Sequence, residues 1–261
     1  MLALRIFVYI VVVLMLLPVL ITFPVALTAL PRIAFPPIGL STRWFVSILT
    51  DQVLLDSIVR SFWLALAAAI IAIIIALPCA FAIQRGRFRG RDFLEMLITS
   101  PRMIPQIVLV LALLVYFEPI GLAEKFIGLV LAHLVITIPF VFRTLLVSVS
   151  TMDKRLEWSS DVLGATPVQT FVRIMAPQLK TGLIASFIFA FILSFNNVTL
   201  ALFLSGIGQR TLPVEMFTRM NVAGMTPVIP AISFVLAVVG VALFVVLDRT
   251  IGVYRFLAGR E

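Results

Sequence analysis

Six long stretches without a single charged side chain divide this sequence: residues 6–31, 61–84, 103–117, 126–142, 181–209 and 220–247. A helix crosses the hydrocarbon core of a bilayer with roughly 20 mostly apolar residues. Four of the stretches exceed that length. The third and fourth fall short and reach it by including Arg102 and Arg143, whose long stems can carry the charge to the headgroups. Hydrophobic residues make up 62% and charged residues 12% of the chain. Soluble domains run nearer one half and one quarter. The expected fold is therefore all-α: a polytopic membrane bundle of about six transmembrane helices. The spans are expected near 6–29, 58–83, 98–117, 127–147, 182–204 and 227–247, in one membrane domain over residues 1–261. The first stretch is too long for the apolar region of a cleaved signal, about 7–15 residues, and is read as an anchor.

The formal charge of +8 reports topology. With the N-terminus in the cytoplasm, fourteen of the 20 Lys and Arg residues fall on the cytoplasmic side. The opposite orientation would reverse the positive-inside bias, so both termini are expected to be cytoplasmic. The run Arg85-Gly-Arg-Phe-Arg-Gly-Arg91 sits directly between two spans. It reads as a topology and lipid anchor and not as a nucleic-acid patch. One cysteine, Cys79, and one histidine, His133, permit no internal disulfide and no metal centre of their own. None of Lys125, Lys154 and Lys180 lies in a phosphate-binding Gly-Lys-Ser/Thr loop. No His-Glu-x-x-His or Gly-x-Ser-x-Gly motif is present either, so catalytic residues are not expected. His133 could serve as a base, but a polar contact between helices is the more ordinary use of one histidine in a span.

Two local patterns stand out. Pro101 and Pro105 at the start of the third span each remove a backbone donor, which predicts a bend or broken turn there. The longest cytoplasmic stretch, residues 151–180, predicts two short helices. Gly164 suits the left-handed residue that ends the first. Thr166 suits an N-cap, Pro167 the first helical position, and Gln169 the far side of a capping box. Val168, Phe171, Val172 and Met175 give the second helix an apolar face, and Pro177 is expected to close it. A surface helix pair on so small a cytoplasmic face implies a soluble partner.

The spacing Gly164, nine residues, Ile174, one residue, Ala176-Pro177 resembles the EAA loop of ABC importer permeases. That pattern is Glu-Ala-Ala, three residues, Gly, nine residues, Ile, one residue, Leu-Pro. Aligned on Gly164, Trp158 stands at the Glu position, Ser159 and Ser160 at the two Ala positions, and Glu157 lies one residue early. The resemblance implies ATPase coupling through Glu157, Trp158, Ser159, Ser160, Gly164, Ala165, Thr166, Phe171, Arg173 and Pro177. The stretches 35–44, 61–91 and 211–217 are similar to the polyamine-uptake branch of these type I importers. The resemblance implies a bacterial inner-membrane permease paired with a second, different permease. Two ABC ATPase subunits would hold the ATP and Mg, with no cofactor in this chain. A periplasmic or extracellular solute-binding protein would deliver the cargo.

The fifth span has no charge but gathers Ser194, Asn196, Asn197 and Thr199. In a helix leaving the cytoplasm near Gly182, Asn196 stands roughly 21 Å up. Amides facing lipid are costly, so these side chains are expected either to bond another helix or to line the translocation path. The polyamine branch usually carries an acid where Asn196 stands. Two amides offer donors and acceptors without net charge. The cargo is thus a polyamine-type solute, or a zwitterionic or anionic amino compound such as an opine or aminophosphonate. A membrane scaffold without transport is a further class, one that leaves the amides and the proline-broken span unexplained.

Overall fold

The structure, a computed structural model, describes residues 2–206, 208–222 and 224–251. Arg255 and Arg260, counted above among the cytoplasmic charges, lie outside the described residues. Among the described residues twelve helices follow one another: α1 (Leu2–Ala26), α2 (Arg43–Thr50), α3 (Gln52–Arg85), α4 (Arg91–Thr99), α5 (Gln106–Phe117), α6 (Phe126–Thr151), α7 (Lys154–Val162), α8 (Pro167–Thr170), α9 (Ala176–Phe195), α10 (Val198–Leu204), α11 (Leu212–Val222) and α12 (Val228–Ile251). A 3-10 turn, Ser100–Met103, follows α4, and a π turn, Phe171–Met175, joins α8 to α9. Apart from one isolated bridge, Thr28 to Leu40, no strand pairing occurs among the described residues.

Among the described residues, four helices are long and apolar enough to cross a membrane: Leu4–Ala26, Gln52–Arg85, Phe126–Thr151 and Pro167–Phe195. Where the third span is expected, Arg91–Met103 and Gln106–Phe117 form a pair bent by 102°. The bend falls where the prolines predict it: Ile104 is extended and Pro105 supplies no N–H. Counted as one span, the pair makes a fifth. At the place of the sixth stands α12, apolar over Val228–Leu243 among the described residues.

The chain forms two compact units. The first holds residues 1–58 and 214–250. Here the loop after α1 is tied by the Trp44 indole N–H, which donates to the Thr28 carbonyl at 2.8 Å. The Phe23 and Phe234 rings meet with centroids 4.7 Å apart. Arg219 donates to Asp51 at 2.7 Å and to Glu215 at 2.8 Å. The hydrogen bond from Arg219 holds the Asp51 carboxyl below the usual carboxylate range.

The second unit is built on residues 59–213. One face of α3 is all alanine: Ala65, Ala69, Ala72, Ala76 and Ala80 are buried at three- and four-residue spacing. Small side chains let helix axes approach closely, which matters where lipid removes the hydrophobic drive to associate. Against this face pack Leu134, Val141, Phe142, Leu145 and Val149 of α6, with Leu179 and Ala190 of α9. Arg143 of α6 bonds Glu95 of α4 at 3.1 Å. The Arg102 guanidinium stands 4.2 Å from the Phe140 ring centre. These two contacts fasten the α4 segment to α6.

Gly128, in the first turn of α6, allows the α5–α6 turn to fold back. A Cβ there would strike the Leu122 carbonyl. Gly128→Ala is expected to cost about 1–3 kcal/mol through overpacking, read as a lower melting temperature of the purified protein in detergent. Because the Asp51 carboxyl is held low, its stabilisation is full above about pH 4 and is lost as pH falls through its depressed value. Asp51→Asn is therefore expected to flatten the acid limb of a pH–stability curve and leave the neutral limb lower.

Candidate functional site

The loop between α6 and α9 is ordered by its own caps. Asp153 Oδ1 accepts from the Arg155 N–H at 2.9 Å and starts α7. At the other end the Gly164 N–H donates to Asp161 O and the Ala165 N–H to Ser160 O, both at 3.0 Å. That pair of bonds, with Gly164 at φ +76°, is a Schellman ending. Thr166 then caps α8: its hydroxyl accepts from the Gln169 N–H at 3.3 Å while Gln169 Oε1 accepts from the Thr166 N–H at 2.9 Å. Both ends follow the sequence expectation.

Closure at Pro177 does not occur. The helix runs on without interruption from Pro167 to Phe195. The Ala176 N–H donates to Phe171 O, five residues back, in the π turn. Widening the helix by one residue directly ahead of Pro177 accommodates a ring that would otherwise crowd the preceding turn and lacks an N–H of its own. The second loop helix and the fifth span are thus one rod.

Two polar contacts fix α7 beneath this rod. The Ser160 and Thr170 hydroxyls lie 2.9 Å apart and buried, and Ser160 also donates to Glu157 O at 2.8 Å. Arg85, the last residue of α3, donates to Glu157 Oε1 at 2.6 Å and to Met152 O at 3.4 Å. Its Nε and Nη1 are buried and meet no acceptor among the described residues. The Phe171 ring sits edge-on to Phe81 of α3 at 6.1 Å. Glu157, Ser160 and Phe171 therefore face inward. Ser159, Thr166, Arg173 and Pro177 are exposed, and Ala165 is half-buried. The outer surface is apolar: Trp158 is 65% exposed, Val162 87%, Leu163 85% and Val168 72%. Sequence reasoning singled out Glu157 but not its partner Arg85, 72 residues away, nor Thr170 as the partner of Ser160. A shortfall of acids near a basic run was the one available signal.

The four polar residues of the fifth span are separated by a break that the sequence reading, a continuous helix, did not foresee. α9 ends at Phe195, Asn196 follows as its C-cap, and Asn197 is the N-cap of α10. Asn197 Oδ1 accepts from the Leu200 N–H at 2.9 Å. Ser194 is buried, its hydroxyl 2.7 Å from His133 Nδ1 of α6. Asn196 is exposed, and Asn197 and Thr199 are half-buried. Ser194 thus bonds a neighbouring helix and Asn197 supports its own, leaving the Asn196 amide turned outward from the break. Among the described residues no group of His, Cys, Asp or Glu has the arrangement of a metal site.

Residues 72–254, from within α3 through α12 and including the loop just described, match the family described as binding-protein-dependent transport system inner membrane component. The chain belongs to this family. It is an inner-membrane, multi-pass permease of the ABC importer class, and a transport subunit, not an enzyme. Relatives include the putrescine transport system permease protein of Escherichia coli, 30% identical over 79% of this chain and 76% of that protein. The spermidine/putrescine transport system permease protein of Haemophilus influenzae is 28% identical over 79% and 80%. A molybdate/tungstate transport system permease protein of Pyrococcus furiosus is 25% identical over 78% and 81%. In fold, the permease matches a chain of a bacterial ABC transporter involved in the import of alginate, with TM-score 0.75 at 14% identity over 96% and 95% of the two chains.

Removing the Glu157 charge leaves Arg85 half enclosed without its anionic partner, a loss of about 1–3 kcal/mol. Glu157→Gln is expected to raise amide hydrogen exchange across residues 153–163 while exchange in α6 stays unchanged.

Proposed function

We propose that this permease forms half of the translocation path of an ATP-driven importer and that residues 151–180 are its coupling loop. Its other half is a second, different permease subunit. Two ABC ATPase subunits, which carry the ATP and Mg, dock on the loop from the cytoplasm. An external solute-binding protein delivers the solute. Both termini are cytoplasmic, in keeping with the charge asymmetry. The observation that carries this reading is the loop itself. Its caps and its Ser160–Thr170 and Arg85–Glu157 contacts hold it rigid from within. Its outer surface nonetheless presents Trp158, Val162, Leu163 and Val168 to water. A preordered apolar surface on a polar loop is suited to a protein partner.

The proposed cargo is a polyamine-type solute, supported by the relatives named for putrescine and spermidine. One observation favours a second reading. The break in the fifth span offers the uncharged Asn196 amide, whereas a polycation is better served by carboxylates in a low-dielectric passage. A zwitterionic or anionic amino compound would meet no such need.

Val162→Asp with Leu163→Asp, both exposed, is expected to abolish co-purification of the ATPase while membrane insertion is kept. Undiminished co-purification would remove the coupling assignment. Cells carrying the importer are expected to accumulate labelled putrescine or spermidine. Accumulation of an anionic amino compound alone would establish the second reading.

A further inference from the structure

The seven residues 85–91, which begin with the last residue of α3, contain four arginines, and among the described residues only one of them is bound internally. Arg85 is bound to Glu157. Arg87, Arg89 and Arg91 are exposed, and no ion pair holds them among the described residues. Residues 86–93 line an open hollow of about 510 Å3. Its one acid is Asp92, set against the three guanidinium groups. Like charges gathered around one hollow repel unless an anion lies among them.

The helix that follows supplies an independent observation. The segment Arg91–Met103 is turned by 102° from Gln106–Phe117. With α5 directed across the bilayer, α4 therefore runs close to the membrane plane. One side of α4 is bound to the bundle, where Leu94 and Ile98 pack on the core and Glu95 bonds Arg143. The other side presents Phe93, Met96 and Leu97, which are 63%, 55% and 56% exposed. Spacings of three and four place these three on one face. An apolar helix face lying in the plane beside a cluster of arginines is the pattern of an interfacial helix on an anionic leaflet.

We infer that residues 86–97 form a binding site for an anionic glycerophospholipid. The lipid phosphate is held among Arg87, Arg89 and Arg91, and its acyl chains lie along Phe93, Met96 and Leu97. Guanidinium groups suit a phosphate because their paired N–H donors match its oxygens. The tethering of α4 to α6 through Glu95 and Arg143 makes this lipid a neighbour of the span that carries His133 and leads into the coupling loop. The site is independent of which solute the importer carries.

The test uses the full-length protein, co-expressed with its transporter partners and placed in nanodiscs of mixed phosphatidylglycerol and phosphatidylcholine. Lipids retained after gentle release are counted by native mass spectrometry. Each basic residue near an anionic surface contributes about a fivefold preference. The wild-type protein is expected to retain phosphatidylglycerol preferentially, and R87Q/R89Q/R91Q to lose at least tenfold of that preference. R87K/R89K/R91K should keep most of it, since point charges remain, and F93S/M96S/L97S should shorten retention. The inference is overturned if the glutamine variant retains phosphatidylglycerol as the wild type does. It is equally overturned if the wild type shows no preference, or if the arginines are shielded from modification by a soluble subunit in lipid-free micelles.

Discussion

Helices in a bilayer gain nothing by leaving water, so their association rests on how closely their surfaces can meet. In the larger unit of this permease that closeness comes from the alanine face of α3, buried from Ala65 to Ala80. Phe142 and Leu145 of α6 and Leu179 of α9 fill the space those small side chains leave. The end of α3 carries Arg85 beneath the loop between α6 and α9, and α6 and α9 pack on each other so that His133 reaches Ser194.

The polar groups are placed where regular helix fails. Proline and asparagine are responsible, by different means. Pro177 cannot donate, and the chain answers with a widened turn that keeps the helix going. Pro105 cannot donate either, but there the chain turns through 102°. The difference lies in what precedes each ring. Ahead of Pro177 the helix widens into a π turn whose Phe171 packs against Phe81 of α3, whereas ahead of Pro105 it tightens into a 3-10 segment that ends at the extended Ile104. At Asn197 a side-chain carbonyl takes over the bonding of the next helix start, so the main chain can stop and begin again inside the bundle.

Much of this was legible in the sequence and some was not, for physical reasons. Uncharged runs marked the spans because the cost of burying a charge in lipid leaves a compositional trace. Gly164, Thr166, Pro167 and Gln169 declared their caps because capping is local, complete within four residues. The pairing of Arg85 with Glu157 and of His133 with Ser194 left no such trace, since those partners lie 72 and 61 positions apart. The alanine face was hidden for another reason. In an apolar stretch, alanine raises no contrast with leucine, and only the neighbouring helices reveal which side is small. Pro177 misled because a proline's local meaning, the end of a helix, yields when tertiary contacts hold both sides of it in line.

That last feature has a mechanical side. From Pro167 to Phe195 the backbone is one helix of 29 residues, about 43 Å from end to end. A flexible joint at Pro177 would let the loop tilt while the membrane segment stayed still. Without that joint, a tilt of ten degrees imposed at the outer end displaces the far end by roughly 7 Å. The far end is where Asn196 stands, at the break between α9 and α10. On the reading of the loop as the docking site, such a stiff arm would carry a push at its loop end to the break at Asn196.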